Sequence, residues 1–387
     1  MKKKIASLLM VGALAASMLA GCGNTSNSAG GTTDGDQTSA KSESTGGTTA
    51  SGDSYTIATN TWGSGAYPLE DIVRNDQYLC DRVGITLDVA NNEFTADKVI
   101  SQLESQMANH PDGVLFLGIA QTTFAPFVQT VHAQNTPFAF DSNYPEEELL
   151  NKCYGYSEFC GGISATPYDM GVVMAEQALA DGNKTAILTC AAIGDYSHDN
   201  RAKGFTDTFE AGGGKVLQEA HSSDPSEAVA KTNDLITAQP DADCVYATGG
   251  DYLSAAVSIK EQRNLSMKLY GTDIDPSLLP ACASGEISAM NGGQGVCGSI
   301  ALTLIINYLD GHQILDADGK APCFSNLKPF VITTENAEGF QKLYDDGANF
   351  VGDNFDKLLY RTNPDVSIDT YNEYLEGYAD SVYEMLP

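Results

Sequence analysis

The alternation of short apolar runs with longer amphipathic stretches limits this chain, more than any other feature, to one class of fold. From Tyr55 to Tyr270, apolar runs predict strands, and the stretches between them show helical spacing of apolar residues. The predicted strands are Tyr55–Thr59, Ile85–Ala90, Gly113–Leu117, Pro137–Phe140, Thr185–Cys190, Lys215–Glu219, Cys244–Ala247 and Met267–Tyr270. The predicted helices are Leu69–Val83, Ala96–Asn109, Thr123–Gln134, Tyr168–Ala180, Asp199–Ala211, Pro225–Ala238 and Tyr252–Arg263. Because continuously apolar strands alternate with helices, we predict an α/β fold with parallel sheets covered on both faces.

Polar interruptions break this alternation at two places and indicate crossings between two bodies. The first follows Asp141 and extends through Tyr154–Gly162, and the second lies at Asn291–Gly293. We therefore expect two Rossmann-like lobes, each with a parallel sheet, joined by a multi-segment hinge. The expected N-terminal lobe comprises residues 54–164 and 291–326, and the expected C-terminal lobe comprises residues 165–290 and 327–387. The sequence of the extended tail, residues 335–387, indicates helices but no function.

The N-terminal residues indicate export rather than a part of the fold. Lysines at Lys2–Lys4 precede an apolar stretch, Ile5–Ala20, that is too short to span a bilayer comfortably. Leu19–Cys22 resembles the lipobox of bacterial lipoproteins, in which the Cys sulfur receives a diacylglycerol before cleavage leaves it as the new N-terminus. Residues 1–21 are therefore expected to be a signal peptide. Residues 22–53, which are rich in Gly, Ser and Thr, are expected to form a disordered polar linker.

A lipid on Cys22 would tether the folded body to the outer face of the cell membrane, since each buried methylene contributes about 0.8 kcal/mol. The long linker favours the surface of a Gram-positive bacterium over a periplasm. The formal net charge of −30 opposes binding to phosphates, so no nucleic-acid partner is expected. We expect the protein to be a monomer.

The cysteines and histidines give no pattern typical of a metal or redox site. The nine cysteines form no CxxC pair, and the five histidines show no ligand spacing, so neither a metal nor a cofactor is expected. Export permits disulfides, and Cys153 and Cys160, which flank a short segment, are a candidate pair. Cys190 and Cys244 lie in apolar runs that favour buried free thiols.

Polar and aromatic side chains follow the predicted strands, at the edge where ligands bind in open α/β sheets. The candidate ligand-binding residues are Asn60, Trp62, Tyr67, Asp141, Asn143, Asp195, Tyr196, Arg201, Gly250, Asp251, Asp273, Asn291 and Gln294. Trp62, the only tryptophan, either stacks on a sugar ring or packs under its own loop, and its Gly-rich surroundings favour stacking. Asp141 either binds hydroxyls or caps a turn. The mixture of aromatic, carboxylate, amide and guanidinium groups suits a neutral polyhydroxylated ligand.

A series of three segments gives this chain a family resemblance. The segments are Pro137–Asp141, Arg201–Phe205 and Tyr270–Asp273. In this order, behind a lipobox, the chain from Tyr55 to Gly311 resembles the type I periplasmic binding proteins of the ribose- and galactose-binding kind, whose fold also forms the core of the lac-repressor group. In that family the corresponding Asp, Arg and Asp hold sugar hydroxyls between two lobes. The resemblance therefore implies that Asp141, Arg201 and Asp273 form the core of the site.

The chain departs from the family pattern at several ligand positions. Ser142 replaces the usual Arg, and Gly249–Gly250 replaces an Asn-Asp pair, with Asp251 just beyond. Gly292 stands where a Gln is expected, so that Asn291 or Gln294 would have to substitute. These changes leave the identity of the sugar open.

The resemblance implies a solute-binding protein that delivers a monosaccharide or small carbohydrate to an ABC permease and closes around it by a hinge. An alternative role for the same fold is a receptor that senses a nucleoside or furanose signal and reports to a sensor kinase. No nucleophile–base set or catalytic carboxylate pair stands out in the sequence, so an enzyme is not expected.

Overall fold

The structure is a computed structural model, and it describes residues 54–65, 67–222 and 225–387. The predicted signal peptide, the lipidation site at Cys22 and the linker to residue 53 lie outside the described residues. Among the helices that are described, none is both long and apolar enough to cross a bilayer.

The first of two sheets contains six parallel strands in the order β11-β5-β4-β3-β1-β2. Its strands are β1 (Thr56–Thr61), β2 (Thr86–Asn91), β3 (Gly113–Leu117), β4 (Phe138–Asp141), β5 (Phe159–Ile163) and β11 (Cys323–Phe324). Its helices are α1 (Leu69–Val83), α2 (Ala96–Met107), α3 (Gln121–Ala133), α4 (Glu147–Cys153) and α10 (Cys297–Leu309). Alternate strand residues face opposite layers: Ile57 packs with α1 and α10, and Ala58 packs with α2 and α3.

The second sheet also contains six strands, in the order β12-β10-β9-β8-β6-β7, and only β12 runs antiparallel to its neighbour. Its strands are β6 (Thr185–Cys190), β7 (Lys215–His221), β8 (Cys244–Ala247), β9 (Lys268–Thr272), β10 (Ala289–Gly292) and β12 (Phe330–Thr333). Its helices are α5 (Pro167–Ala180), α6 (Tyr196–Ala211), α7 (Ala228–Ala238), α8 (Gly250–Arg263) and α9 (Leu279–Ala283). Leu188 of β6 faces α5 and α6, whereas Ile187 faces α7 and α8.

The predicted α/β class is confirmed, and each predicted strand and helix has a counterpart within a few residues of its expected bounds. The stretch through Gly162, which was expected to cross between bodies, instead forms α4 and β5, and β5 pairs with β4 in the first sheet. Sequence reasoning also missed two edge strands: β11, which has only two residues, and β12, although Phe330–Ile332 form an apolar run.

The tail contacts elements of both sheets. Its two α-helices are α11 (Ala337–Asp345) and α12 (Ile368–Glu384). Phe340 stacks on Phe330 of β12, with ring centroids 5.3 Å apart. The Tyr371 hydroxyl lies 2.7 Å from the Thr303 hydroxyl in α10, beneath the first sheet. The tail therefore packs against a strand of one sheet and a helix of the other.

The eight described cysteines are all free thiols, so the candidate disulfide between Cys153 and Cys160 is wrong. The sheet itself separates the two residues. Cys160 belongs to the same buried cluster as Ile57, on the α1 face of the first sheet, whereas Cys153 belongs to the cluster that contains Phe138, on the α3 face.

Candidate ligand-binding cleft

A cavity of about 830 Å³ lies at the carboxyl ends of strands from both sheets. The first sheet contributes residues that follow β1, β3 and β4, and the second contributes residues that follow β6, β7, β8 and β9. Nine of the predicted ligand-binding residues line this cleft: Trp62, Tyr67, Asn143, Asp195, Arg201, Gly250, Asp251, Asp273 and Gln294. Parallel strands place their ends at one edge, so these nine positions, distant in the sequence, meet.

The other four predicted residues, Asn60, Asp141, Tyr196 and Asn291, do not line the cavity. The Asn60 amide donates to Asn92 Oδ1 at 2.9 Å and accepts from the Leu117 backbone N–H at 3.0 Å, and so joins loops of the first sheet. The Asn291 amide donates to the Met170 carbonyl at 2.7 Å. Tyr196 is half-exposed in the first turn of α6, beside the cavity-lining Asp195.

Asp141 lies beneath the cleft. Its side chain is buried and accepts a 2.8 Å hydrogen bond from the Ser142 hydroxyl. Burial raises the pKa of Asp141 to about 7. Burial also raises the pKa of the neighbouring Asp76 well above its usual range, and the charge of Asp141 raises it further. Ser142 and Asn143 therefore reach the cleft, while the carboxyl group that sequence reasoning placed there supports them from below.

A buried network joins Arg201 of α6 to the end of β9. Arg201 Nη1 donates to Asp273 Oδ2 at 3.0 Å and to the Thr248 carbonyl at 2.8 Å, and Nη2 donates to Gln294 Oε1 at 2.7 Å. Gln294 in turn donates to Asp273 Oδ1. A buried ion pair needs such additional hydrogen bonds to offset the cost of desolvation. Asp273 also has a φ of +78°, a strained conformation of the kind that clusters at ligand sites.

His198 lines the cleft, although sequence reasoning considered the histidines only as metal ligands. One ring nitrogen, Nδ1, lies 2.9 Å from the Thr248 hydroxyl. Burial lowers the pKa of His198, and the positive charge of Arg201 lowers it further. The imidazole is therefore neutral near pH 7. Asp195 caps α6 by accepting from the His198 backbone N–H, so an Asp three residues before this His, just after a predicted strand, was the signal that the sequence offered.

Aromatic side chains form the wall on the side of the first sheet. Trp62, Tyr67 and Phe94 line the cavity, and Trp62 also packs against the apolar layer of α2 and α3. Trp62 thus lines the cavity and packs against this layer at the same time, and its stacking on a sugar stays a prediction. Phe94, which sequence reasoning missed, is half-exposed with a φ of +58°, and its ring lies over Gly63. A Cβ atom at Gly63 would come within 2.3 Å of that ring, so a larger residue there would require the Phe94 side chain to move.

The charged and unpaired polar groups of the cleft define the ligand that it suits. Among the lining residues, the carboxylates of Asp195, Asp251 and Asp273 face a single guanidinium, Arg201, which is already paired. Within the described structure, Asn143 Oδ1, Arg201 Nε and Ser222 Oγ are buried without a hydrogen-bond partner. Buried polar atoms are normally paired, so these residues and the carboxylates favour a neutral ligand with several hydroxyl groups.

A family model described as a periplasmic binding protein domain matches residues 77–313, which is more than half of the chain. Comparison with curated protein sequences gives no match.

Solved structures with the same fold cover most of the described chain. The periplasmic binding protein component of the arabinose ABC transporter from Shewanella sp. ANA-3, bound to α- and β-L-arabinofuranose, is 17% identical with a TM-score of 0.65, and covers 76% of this chain and 96% of that one. A periplasmic ribose ABC transporter protein from Conexibacter woesei is 18% identical with a TM-score of 0.64, over 77% and 97% of the two chains. A carbohydrate transporter protein from Acidothermus cellulolyticus, in complex with myo-inositol, is 17% identical with a TM-score of 0.63, over 76% and 99%.

Proposed function

The chain belongs to the periplasmic binding protein domain family, and from this membership we propose that it is the solute-binding component of an ABC importer. The proposed ligand is a monosaccharide or small carbohydrate, held in the cleft between the two sheets. Binding, without catalysis, is its proposed activity. The proposed partner is a permease in the membrane to which a lipid on Cys22 would tether the protein.

The polarity of the cleft is the observation that supports a neutral sugar. Three carboxylates and a neutral imidazole surround one guanidinium, so an anionic ligand such as a sugar phosphate would meet repulsion. Carboxylates, amides and hydroxyls can each accept from or donate to sugar hydroxyls. The ring of Trp62 or Phe94 offers an apolar surface to the C–H face of a sugar.

We propose that the two sheets are the cores of two lobes that close on the ligand. The bounds expected from the sequence, residues 54–164 and 291–326 for one lobe and residues 165–290 with β12 for most of the other, then shift by two residues, because Asn291 and Gly292 belong to β10 of the second sheet. The cleft residues divide between them: Asn143 belongs to the first lobe, and Arg201 and Asp251 belong to the second. A ligand that contacts both lobes would favour the closed state by its differential affinity.

Titration calorimetry and tryptophan fluorescence together test this proposal. Trp62 is the only tryptophan and lines the cleft, so its emission should change when a ligand binds. The panel includes pentoses and hexoses, myo-inositol, nucleosides and sugar phosphates. We expect saturable heat and a fluorescence change with at least one neutral sugar, and none with its phosphate. Heat with nucleosides alone would contradict the sugar assignment and favour the signalling receptor.

A matched pair of substitutions locates the site. Asp251→Asn removes a carboxylate that lines the cleft in the first turn of α8, and it should weaken sugar binding about 10- to 100-fold, the range of a hydrogen bond to a charged group. Asp241→Asn changes an exposed carboxylate in the turn before β8 and should leave affinity unchanged. Equal affinity of the two variants would show that the ligand binds elsewhere.

A further inference from the structure

Three side chains able to bind a metal converge at the carboxyl ends of β6 and β7. Cys190 and His221 are register partners on these neighbouring strands, and Glu219 lies two residues before His221. Residues two apart on a strand point to the same face, so all three project from one face of the second sheet. The sulfur, one carboxylate oxygen and one imidazole nitrogen all lie within 4.8 Å of one another.

The backbone fixes the orientation of the imidazole. His221 Nδ1 lies 3.0 Å from the Ala191 carbonyl, and because a carbonyl only accepts, Nδ1 must hold a proton. In the neutral ring, Nε2 then presents a lone pair. Nε2 lies 3.3 Å from Glu219 Oε2, which is also an acceptor. Two acceptors at this distance need a cation between them, either a second proton on the ring or a metal ion.

We propose that Cys190, Glu219 and His221 bind a divalent cation of the zinc type. Thiolate, imidazole and carboxylate are the ligands that zinc takes in proteins, and three protein ligands leave a fourth position for water. In zinc sites the imidazole nitrogen that does not bind the metal commonly donates to a backbone carbonyl, as His221 Nδ1 does to Ala191.

Burial and access are compatible with metal entry. The side chains of His221 and Glu219 are 25% and 36% exposed, so an ion can approach from solvent, whereas Cys190 is buried at the base of the cluster. On binding, the thiol releases its proton to solvent and the sulfur coordinates as thiolate. Ala191 follows Cys190 and Ser222 follows His221, and both line the cleft. A bound ion would therefore hold together the ends of β6 and β7 at the edge of the cleft.

Zinc titration of the untagged full-length protein, stripped with a chelator and kept reduced, tests the site. We expect one zinc equivalent to bind, measured by calorimetry and by competition with a chromophoric chelator. Cobalt(II) should bind in its place and give thiolate-to-cobalt charge-transfer absorption. That band reports a Co–S bond, which neither a surface carboxylate nor a His–Glu ion pair produces.

Matched variants separate this cluster from other thiols and histidines. His221→Gln, Glu219→Gln and Cys190→Ser should each lower zinc affinity at least tenfold. Cys244→Ser removes a buried thiol from the next strand, β8, and should bind zinc as the wild type does. His132→Gln disrupts a His–Glu pair between α3 and Glu158, which directly precedes β5, and should also bind zinc normally.

Two results would overturn the proposal. Absence of the cobalt–thiolate band in the wild type would show that Cys190 is not a ligand. Equal zinc affinity of wild type and His221→Gln would show that the cluster is only an ion pair beside a buried thiol. If Cys190→Ser fails to fold, the band and the two partly exposed variants still decide the question.

Discussion

Replacing Arg361 with Met should destabilise the protein strongly, because this tail residue forms a buried ion pair with the end of α10. Arg361 Nε lies 2.8 Å from Asp310 Oδ2 and Nη2 lies 2.7 Å from Oδ1, a bidentate geometry. The Arg361 and Asp310 side chains are only 6% and 11% exposed. Methionine preserves much of the packing but leaves the Asp310 carboxylate buried with a 3.1 Å hydrogen bond from the Tyr55 hydroxyl and without its cation. Removing one partner of a buried pair costs about 3–5 kcal/mol.

Arg82→Met provides the matched control. Arg82 of α1 also pairs with the tail, through Asp356 at 3.1 Å, but these side chains are 35% and 39% exposed. Exposed pairs contribute about 0–1 kcal/mol because water and salt screen them. Both substitutions therefore remove an arginine that joins the tail to the rest of the chain, and they differ mainly in burial.

Urea unfolding, followed by circular dichroism and by Trp62 fluorescence, measures the difference. Each kcal/mol of lost unfolding free energy lowers the melting temperature by about 2–4 °C. Arg361→Met should therefore lower the melting temperature by about 6–20 °C, and Arg82→Met by no more than about 4 °C. If both variants lost less than about 1 kcal/mol in free energy of unfolding, and lost it equally, the reasoning would be refuted, because the buried pair would then contribute no more than the exposed one.

Two further predictions concern the tail and the floor of the cleft. Tyr371→Phe removes a buried hydroxyl that contacts Thr303 at 2.7 Å and Asn307 at 3.1 Å, and should cost about 1–3 kcal/mol in urea unfolding. Tyr378 is equally buried, and within the described residues its hydroxyl makes no hydrogen bond, so Tyr378→Phe should lower the free energy of unfolding much less; equal losses in the two variants would contradict the assigned role of the Tyr371 hydroxyl. Because the pKa of Asp141 rises from 3.8 to about 7 on folding, the folded state holds more protons between these values, so the free energy of unfolding should fall as pH rises through this window. Asp141→Asn should reduce that fall, and an unchanged pH dependence would contradict the assignment.

Sequence reasoning predicted the fold from periodicity, because strands covered on both faces must be apolar throughout. The same logic placed Arg201 and Asp273 together, since residues after parallel strands share an edge. It did not predict that Asp141 is buried outside the cavity lining, because a strand end fixes the backbone but not whether a side chain points to solvent or to the interior. It also missed the Cys190–His221 cluster, whose members are adjacent only through the register of β6 and β7.

The tail, which lies outside the matched family segment, is connected to the cleft by a short series of hydrogen bonds. The Phe350 N–H donates to Asn75 Oδ1 at 3.1 Å, and the Asn75 amide donates to the Gly295 carbonyl at 2.7 Å. Gly295 directly follows Gln294, which accepts from Arg201 in the cleft. The tail thereby holds the bend that presents Gln294. Asn75, which the sequence does not mark as a ligand-binding residue, thus supports the position of Gln294, which it does.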